Sequence, residues 1–191
     1  MAEVRSESPR TARPAASPPA SGPEPPVPRP AARLVKHGLD RVAAACGLIV
    51  TAPLMALVAL GLRSATGRVL RREERVGEGG RTIVVRSFAI TDALRERSGV
   101  WRLAAGSGVG TLPQLWSVLR GELSIIGPRP REPGDPPPPM RPGLTGLAQL
   151  EQLDRWLSLT EQVELDREYA RTWSLALDAR ILWRTLWYVL R

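Results

Sequence analysis

The sequence predicts an α+β protein that is mainly helical and is attached to a membrane by one apolar helix. Three observations indicate this class. Residues 42–62 form a run of 21 residues without a charged side chain, a length that spans a hydrocarbon core as a helix. Residues 70–88 contain two extended runs around a Gly-Gly pair, which predicts a short β-hairpin. The last part of the chain carries apolar residues at helical spacing, which predicts amphipathic surface helices.

Residues 1–32 are predicted to be a disordered tail. Nine of the 19 prolines lie in the first 30 residues, mixed with Ala, Ser and both charge signs. Such a composition cannot bury enough apolar surface to offset the entropy of ordering it. The segment also lacks the apolar stretch of a secretory signal peptide. We therefore expect the folded unit to comprise residues 33–191.

The apolar segment Val42–Leu62 contains Pro53 near its middle, and a proline there breaks or kinks a helix. Both flanks are rich in Arg or Lys, which is the charge pattern of cytoplasmic loops. A re-entrant helix that breaks near Pro53 and returns to the same face satisfies both observations, and the protein is then monotopic. A single membrane crossing and a buried core helix remain the alternatives.

Composition and charge exclude several kinds of site. The formal net charge is +8 and nearly all of the positive charge is arginine. Either a GC-rich coding sequence or contact with phosphates and anionic headgroups explains that bias. Nucleic-acid binding is not predicted, because no DNA- or RNA-binding motif is present and acidic residues interrupt the basic ones. One cysteine and one histidine exclude a disulfide framework and a Cys/His metal site.

The segment Leu112–Pro130, LPQLWSVLRGELSIIGPRP, closely resembles the signature of the bacterial sugar transferases, the polyprenyl-phosphate phosphoglycosyl transferases. The runs RREERVG at 71–77 and RPGLTGLAQ at 141–149 are similar to further motifs of that family, as is the block Trp173–Leu182. The resemblance covers residues 33–191. It implies a monotopic protein on the cytoplasmic face of the cytoplasmic membrane, with a re-entrant helix at its start.

The resemblance also implies a reaction, the transfer of a sugar-1-phosphate from a nucleotide sugar to a membrane polyprenyl phosphate with Mg²⁺. In the family an Asp attacks the phosphorus and the adjacent Glu assists. Here those two positions, which we call the dyad positions, are Gly110 and Thr111. Neither residue supplies an anionic carboxylate, so no catalytic residue is assigned. Thr111 is interpreted instead as a cap for the helix that follows Pro113.

Other family positions are altered as well. Ala89 and Ala105 stand where the resemblance implies basic residues, and the family's Gly-Arg-Asn is missing around Leu153. Arg155 is the candidate replacement for that last positive charge. Several changes in one chain indicate a relaxed demand for catalysis.

The resemblance implies phosphate contacts for Arg129 and Arg131 beside the Gly-Pro-Arg-Pro loop and for Arg75 in the 71–77 run. A guanidinium fork suits a pyrophosphate because it meets two oxygens at once. Ordinary solvated loop arginines are the alternative. Glu122 and Asp92 are the candidate acidic helpers, with Asp92 the first candidate for a relocated nucleophile. Metal ligands are not assigned.

Two functions remain open from the sequence. The first is a sugar transferase of exopolysaccharide or glycolipid assembly whose catalysis is impaired by the change to Gly110-Thr111 and which uses Mg²⁺ if active. The second is a non-catalytic membrane-surface protein of the same pathway, a pseudoenzyme. Its ligand is polyprenyl phosphate, a nucleotide sugar or a protein partner of glycan assembly.

The charge pattern generates a prediction about topology. A membrane-impermeant thiol reagent added to intact cells should not label a cysteine placed at either terminus, because both flanks of Val42–Leu62 are expected in the cytoplasm. The readout is reagent incorporation before and after cell lysis. External labelling of a C-terminal cysteine would contradict the re-entrant arrangement and favour a single crossing.

Overall fold

The computed structural model describes residues 30–190, which form seven α-helices and four short strands. The prediction of a disordered tail concerns residues 1–29 as well, and these lie outside the described range. The elements in chain order are α1 Pro30–Thr66, β1 Leu70–Val76, β2 Thr82–Phe88, α2 Asp92–Arg97, α3 Gly99–Gly106, α4 Gln114–Leu119, β3 Ser124–Ile126, β4 Gly143–Thr145, α5 Leu147–Asp154, α6 Leu159–Thr172 and α7 Leu175–Leu190. The mainly helical α+β class is confirmed.

Helix α1 is one uninterrupted helix of 37 residues with Pro53 inside it. It begins at Pro30, three residues before the predicted start of the folded unit, and the expected division into two helices at Pro53 is not present. Loss of one backbone hydrogen bond at a proline does not end a helix whose remaining turns are held by other contacts. An 18-residue window of the helix has a mean hydropathy of 2.3, so its length and composition suit a membrane span.

One side of α1 contacts the rest of the chain in two stretches, residues 36–47 and residues 55–62. Its buried residues recur at helical spacing and are Lys36, Asp40, Ala44, Val58 and Leu62. Between them, Gly47 lies against Leu115 of α4. The opposite side exposes large apolar residues, among them Leu39, Ile49, Val50, Leu54, Leu57 and Leu60. Such a long exposed apolar surface is typical of a membrane-facing helix.

A buried polar network fixes the first part of α1. Lys36 Nζ donates to Asp178 Oδ2 of α7 at 2.6 Å, and the Lys36 side chain is 3% exposed. The Tyr169 hydroxyl donates to the other Asp178 oxygen at 2.6 Å, and Trp173 Nε1 donates to Oδ2 at 3.1 Å. Burial and the neighbouring Asp178 carboxylate raise the pKa of Tyr169. The hydroxyl therefore stays protonated and remains a donor to Asp178.

The strands form two separate pairs. β1 and β2 make the predicted antiparallel hairpin, with Val76 opposite Thr82 at the turn. β3 and β4 pair in parallel, with Ile126 opposite Thr145. Glycines are required beside the second pair, because a Cβ on Gly143 or Gly146 would clash with the backbone of Gly127. The Gly-Pro-Arg-Pro loop and the Pro-Gly-Leu-Thr-Gly segment therefore meet backbone to backbone.

Three apolar clusters make up the core. The first holds Ile126, Met140, Leu150, Tyr169, Ala170 and Ile181 between β3 and helices α5–α7. The second joins Ala44 of α1 to Ile83, Val118 and Leu123. The third joins Val58 and Leu62 of α1 to Phe88 and Leu94. Helix α1 thus contributes to the second and third clusters, and its contacts align the hairpin with the helices around it.

The buried pair generates a prediction about stability. Asp178→Asn should lower the free energy of unfolding by about 3–5 kcal/mol, because it leaves the buried Lys36 ammonium with Asp40, 4.0 Å away and hydrogen-bonded to Ser124, as its nearest carboxylate. Thermal and denaturant unfolding of the detergent-solubilised chain measure the loss.

Asp154→Asn is the matched control for that experiment. Asp154 also pairs with α7, through Arg184 Nη2 at 3.0 Å, but both side chains are exposed. Its loss should cost no more than about 1 kcal/mol. Equal losses in the two variants would contradict a dominant role for the buried pair.

Candidate functional site

An open cleft of about 1100 Å³ lies beside the C-terminal end of α1 and contains both dyad positions. It is bounded by the ends of the hairpin strands, the start of α2 and the loops after α3. The lining residues are Thr66, Arg68, Leu70, Arg71, Arg72, Ser87, Phe88, Ala89, Ile90, Thr91, Asp92, Arg95, Ala105, Gly110 and Thr111. Three of the four altered family positions therefore lie in one place, namely the dyad, Ala89 and Ala105. The fourth, around Leu153, belongs to helix α5.

The dyad positions form a 3-10 turn at Val109–Thr111, entered through Gly108 with a left-handed φ of +75°. The Thr111 hydroxyl donates to the Gly108 carbonyl at 2.8 Å. The interpretation of Thr111 as a cap for the next helix is therefore wrong. Pro113 occupies the cap position of α4, and no side chain caps that end. The Thr111 hydroxyl is instead used within the Val109–Thr111 turn, because the Gly108 carbonyl lies within hydrogen-bonding distance.

Gly110 has unused space around it. The nearest heavy atom to a Cβ built there is Ile90 Cδ1 at 4.0 Å, and Gly110 is not among the residues with positive φ. Neither packing nor backbone conformation demands glycine at this position. A side chain can therefore begin at residue 110 without a clash at its Cβ.

The cleft has a strong excess of positive charge. Arg68, Arg71, Arg72 and Arg95 line it, against the single lining carboxylate of Asp92. Asp92 Oδ1 lies 3.3 Å from Arg95 Nη1, and its side chain is 89% exposed. Arg71 also pairs with Glu73 of the same strand at 2.6 Å. The other two lining arginines, Arg68 and Arg72, have no carboxylate within 4.0 Å among the described residues. Their charge is therefore available to a phosphate anion.

The residues of the cleft do not fit the Mg²⁺ that the family resemblance implies. Mg²⁺ takes an octahedral set of oxygens, usually with one or two carboxylates beside the substrate phosphates. Here the dyad positions offer a hydrogen atom and a hydroxyl, and Asp92 is paired with Arg95. Among residues 30–190 no group of three or more His, Cys, Asp or Glu side chains is placed to hold a metal. The neighbouring arginines also repel a divalent cation.

The three arginines with predicted phosphate contacts lie outside the cleft. Val76 and Arg131 form a backbone bridge that brings Arg75 near the Gly-Pro-Arg-Pro loop. Arg131 Nη2 donates to Asp166 Oδ2 at 2.8 Å, and the backbone N–H of Arg129 lies 3.3 Å from Oδ1. The Arg129 guanidinium donates to Gln162. Arg75 pairs with Glu73 at 2.6 Å and Glu132 at 3.2 Å.

Asp166 holds this loop onto α6, and sequence reasoning missed it. Its side chain is buried, and burial raises its pKa to about 6, although Arg131 and the Arg129 N–H act in the opposite direction. An Asp within a helix of alternating charges gives no sequence signal of such a contact. Arg129 and Arg131 are therefore used in holding the loop, and their contact with a substrate phosphate stays a prediction.

The remaining predicted residues are dispersed. Asp92 is brought to the dyad positions as part of the same cleft. Glu122 pairs with Arg120 Nε at 2.9 Å and does not line the cleft. Arg155 pairs with Glu161 at 2.9 Å near the start of α6, so it does not supply positive charge beside the dyad positions. Sequence analysis missed four site residues, Arg68, Arg71, Arg72 and Arg95. From the sequence, the first three are interpreted as the basic flank of a membrane segment.

Comparison with known proteins agrees with the motifs. The profile of the family described as bacterial sugar transferase matches residues 31–191. A UDP-glucose:undecaprenyl-phosphate glucose-1-phosphate transferase of Caulobacter vibrioides is 36% identical, with 84% of this chain and 72% of that protein aligned. An undecaprenyl-phosphate glucose phosphotransferase of Komagataeibacter xylinus is 32% identical over 80% of this chain.

A further relative, a UDP-glucose:undecaprenyl-phosphate glucose-1-phosphate transferase of Escherichia coli, is 29% identical over 81% of this chain. The alignments cover 35% of the Komagataeibacter protein and 40% of the Escherichia protein. The residues that the family profile matches hold α1, the cleft and the Gly-Pro-Arg-Pro loop. With its profile match over residues 31–191, this chain belongs to the bacterial sugar transferase family.

Proposed function

We propose that this chain binds the phosphate-bearing substrates of sugar-1-phosphate transfer in polysaccharide or glycolipid assembly, without the turnover of an intact family member. One observation carries the proposal. The cleft that contains the dyad positions keeps four arginines but has Gly110 and Thr111 in place of the attacking and assisting carboxylates. Anion binding needs the guanidinium groups, whereas attack on phosphorus needs the missing nucleophile.

The ligand class comes from the relatives. Their names specify UDP-glucose as the donor and undecaprenyl phosphate as the acceptor. A nucleotide sugar carries a diphosphate and a polyprenyl phosphate carries a monophosphate, so both present oxygens that guanidinium forks pair with. Arg68 and Arg72 at the cleft wall are the residues we assign to this contact. The sugar itself is not assigned.

The contacts of α1 support a monotopic arrangement. Near one end, Lys36 pairs with Asp178 at 2.6 Å. Near the other end, Leu62 packs into the cluster that holds Phe88 and Leu94. A helix crossing the bilayer would carry one of these contacts to the opposite face. Both ends therefore belong on one side, which the arginine-rich flanks assign to the cytoplasm, with the exposed apolar side of α1 entering the membrane.

Helix α7 supports attachment to the same surface. Trp183 and Trp187 are 68% and 60% exposed, beside exposed Leu182 and Leu186. Tryptophan side chains with neighbouring arginines suit the headgroup boundary of a membrane. The helix also buries Asp178 and Ile181 against the core, so one side holds the fold while the other is available to the lipid surface.

Catalysis through Asp92 is the second candidate function. Asp92 lines the same cleft as the dyad positions and is well exposed to a ligand. An aspartate there could attack the phosphorus beside the sugar, forming an acyl phosphate with loss of nucleoside monophosphate. Its pairing with Arg95 weakens it as a nucleophile, because the guanidinium stabilises the carboxylate before attack.

The proposal predicts the activity of two chains. Wild type should release negligible nucleoside monophosphate from UDP-sugars with polyprenyl phosphate and Mg²⁺. Gly110→Asp with Thr111→Glu should raise that release, because it supplies the missing carboxylates at a position where a Cβ meets no clash. Loss of a covalent nucleophile typically costs about 10⁴–10⁶-fold in rate, so even partial restoration is measurable.

Gly106→Asp is the matched control for this experiment. Its Cβ also meets open space, in the same stretch of chain, but Gly106 does not line the cleft. It should leave the rate at the wild-type level. Robust release by wild type, abolished by Asp92→Asn, would contradict the proposal and establish the second candidate.

Metal binding gives a prediction that does not depend on turnover. Mn²⁺ titrated against the wild-type chain and followed by electron paramagnetic resonance should show no specific site at the cleft, because its donors do not fit a divalent cation. The Gly110→Asp, Thr111→Glu chain should gain one site, since two adjacent carboxylates supply the ligands that such ions prefer. A specific wild-type site lost in Asp92→Asn would contradict the metal-free cleft.

A further inference from the structure

A second concentration of positive charge lies near the other end of α1. It consists of Arg33, His37, Arg41 and Arg141 around Glu78, and we call it the basal arginine cluster. Arg33, His37 and Arg41 are spaced four residues apart and therefore share one stripe of α1. Arg141 precedes β4, and Glu78 belongs to the hairpin turn. None of these residues lines the cleft.

Two guanidinium groups of the cluster converge on the turn at Gly121. A Cβ built on Gly121 would lie 2.7 Å from Arg41 Nη2 and 3.6 Å from Arg141 Nη1. Gly121 has a left-handed φ of +78°, and its lack of a side chain gives Arg41 room against the backbone. Two like charges thus lie close to one another, with Arg141 half-buried and Arg41 exposed, and the charge of Arg41 contributes to lowering the pKa of Arg141.

The carboxylates around the cluster do not balance its charge. Glu78 lies 3.6 Å from Arg33 Nη1 and 3.9 Å from Arg141 Nε. Within residues 30–190, Arg41 has no carboxylate within 4.0 Å. Asp40 faces the cluster, but it accepts a hydrogen bond from Ser124 at 2.5 Å and lies 4.0 Å from Lys36. Arg33 and Arg141 therefore share one carboxylate, and the charge of Arg41 is left without one.

Two buried polar atoms of the cluster also have no protein partner. Arg33 Nε and His37 Nδ1 are buried and make no hydrogen bond within the described part of the chain. Burial and the charge of Arg141 lower the pKa of His37, and burial lowers the pKa of Arg141. Buried polar groups normally have partners. An anion bound at the cluster would offset the repulsion between its arginines.

We propose that the basal arginine cluster binds a phosphate group, held between Arg41 and Arg141 beside the Gly121 turn. Guanidinium forks match phosphate oxygens in pairs. Arg41 directly precedes the apolar segment that starts at Val42, which sets the site at the level of lipid headgroups. A phospholipid headgroup and a free phosphate present the same oxygens. The site is separate from the cleft, since Arg41 and Thr66 are 25 residues apart, roughly 37 Å along a helix.

The test uses the full chain and two probes. The first is inorganic phosphate, titrated calorimetrically against the detergent-solubilised protein. The second is incorporation into phosphatidylcholine nanodiscs with or without phosphatidylglycerol, read as the shift in thermal unfolding midpoint. Arg41→Gln and Arg141→Gln should each weaken the response by about tenfold, because each removes charge-assisted hydrogen bonds. A response to phosphate identifies a soluble phosphate ester, and a response confined to phosphatidylglycerol identifies a lipid headgroup.

Two control variants separate this site from its neighbours. Arg63→Gln changes an exposed arginine near the other end of α1 and should leave both responses unchanged. Arg72→Gln changes the cleft, which we assign its own phosphate contact, so it should weaken a separate binding step and leave the step that depends on Arg41 unchanged. A titration in which Arg41→Gln weakens no binding step would overturn the proposal. Wild-type chain that responds to neither probe would overturn it as well.

Unliganded stability distinguishes binding from a structural role. Arg41 is exposed, and without phosphate its replacement by Gln should hold or raise the unfolding midpoint, because one repelling charge is removed. A purely structural arginine would lower the midpoint and leave the phosphate response intact. That second pattern would also overturn the proposal.

Discussion

The buried pair between Lys36 and Asp178 joins parts of the chain that lie 142 residues apart. Two charges taken out of water are tolerated only when their remaining hydrogen-bonding capacity is used, and Tyr169 and Trp173 meet that requirement at Asp178. The Tyr169 hydroxyl also lies 3.2 Å from the Ile126 carbonyl. Asp178 therefore fixes α1 against α6 and α7, and Tyr169 extends the contact to β3. The direction of α1 is set at this point.

From that point α1 extends to the cleft, where its end carries Val58 and Leu62 into the core with Phe88 and Leu94. The cleft lies over this cluster, so its shape depends on apolar packing rather than on the residues that face the ligand. Gly110 makes little packing contact. Loss of a carboxylate there removes chemistry at little cost in stability, which explains how the fold and the arginine wall persist in a chain without the dyad.

The arginines fall into two groups: some form contacts that stabilise the fold, and others lie where guanidinium groups outnumber carboxylates. Arg129 and Arg131 are committed to Gln162 and Asp166, and Arg75 to two glutamates. The cleft and the basal arginine cluster, in contrast, both have more guanidinium groups than carboxylates. Among the described residues, excess positive charge thus occurs at these two places beside α1, and each is suited to binding an anion.

The sequence by itself determined the elements whose causes are local. The Gly-Gly pair and the β-branched run gave the hairpin, the period of apolar residues gave α7, and motif spacing gave the family. The tertiary structure decided which side chains meet. Packing of distant elements brings Ala89, Asp92, Ala105 and Gly110 into one cleft. It also pairs Asp166 with Arg131 and keeps α1 continuous through Pro53. Such contacts depend on how distant elements pack, and a buried charge is satisfied by whichever partner packing supplies, so no short-range pattern encodes them.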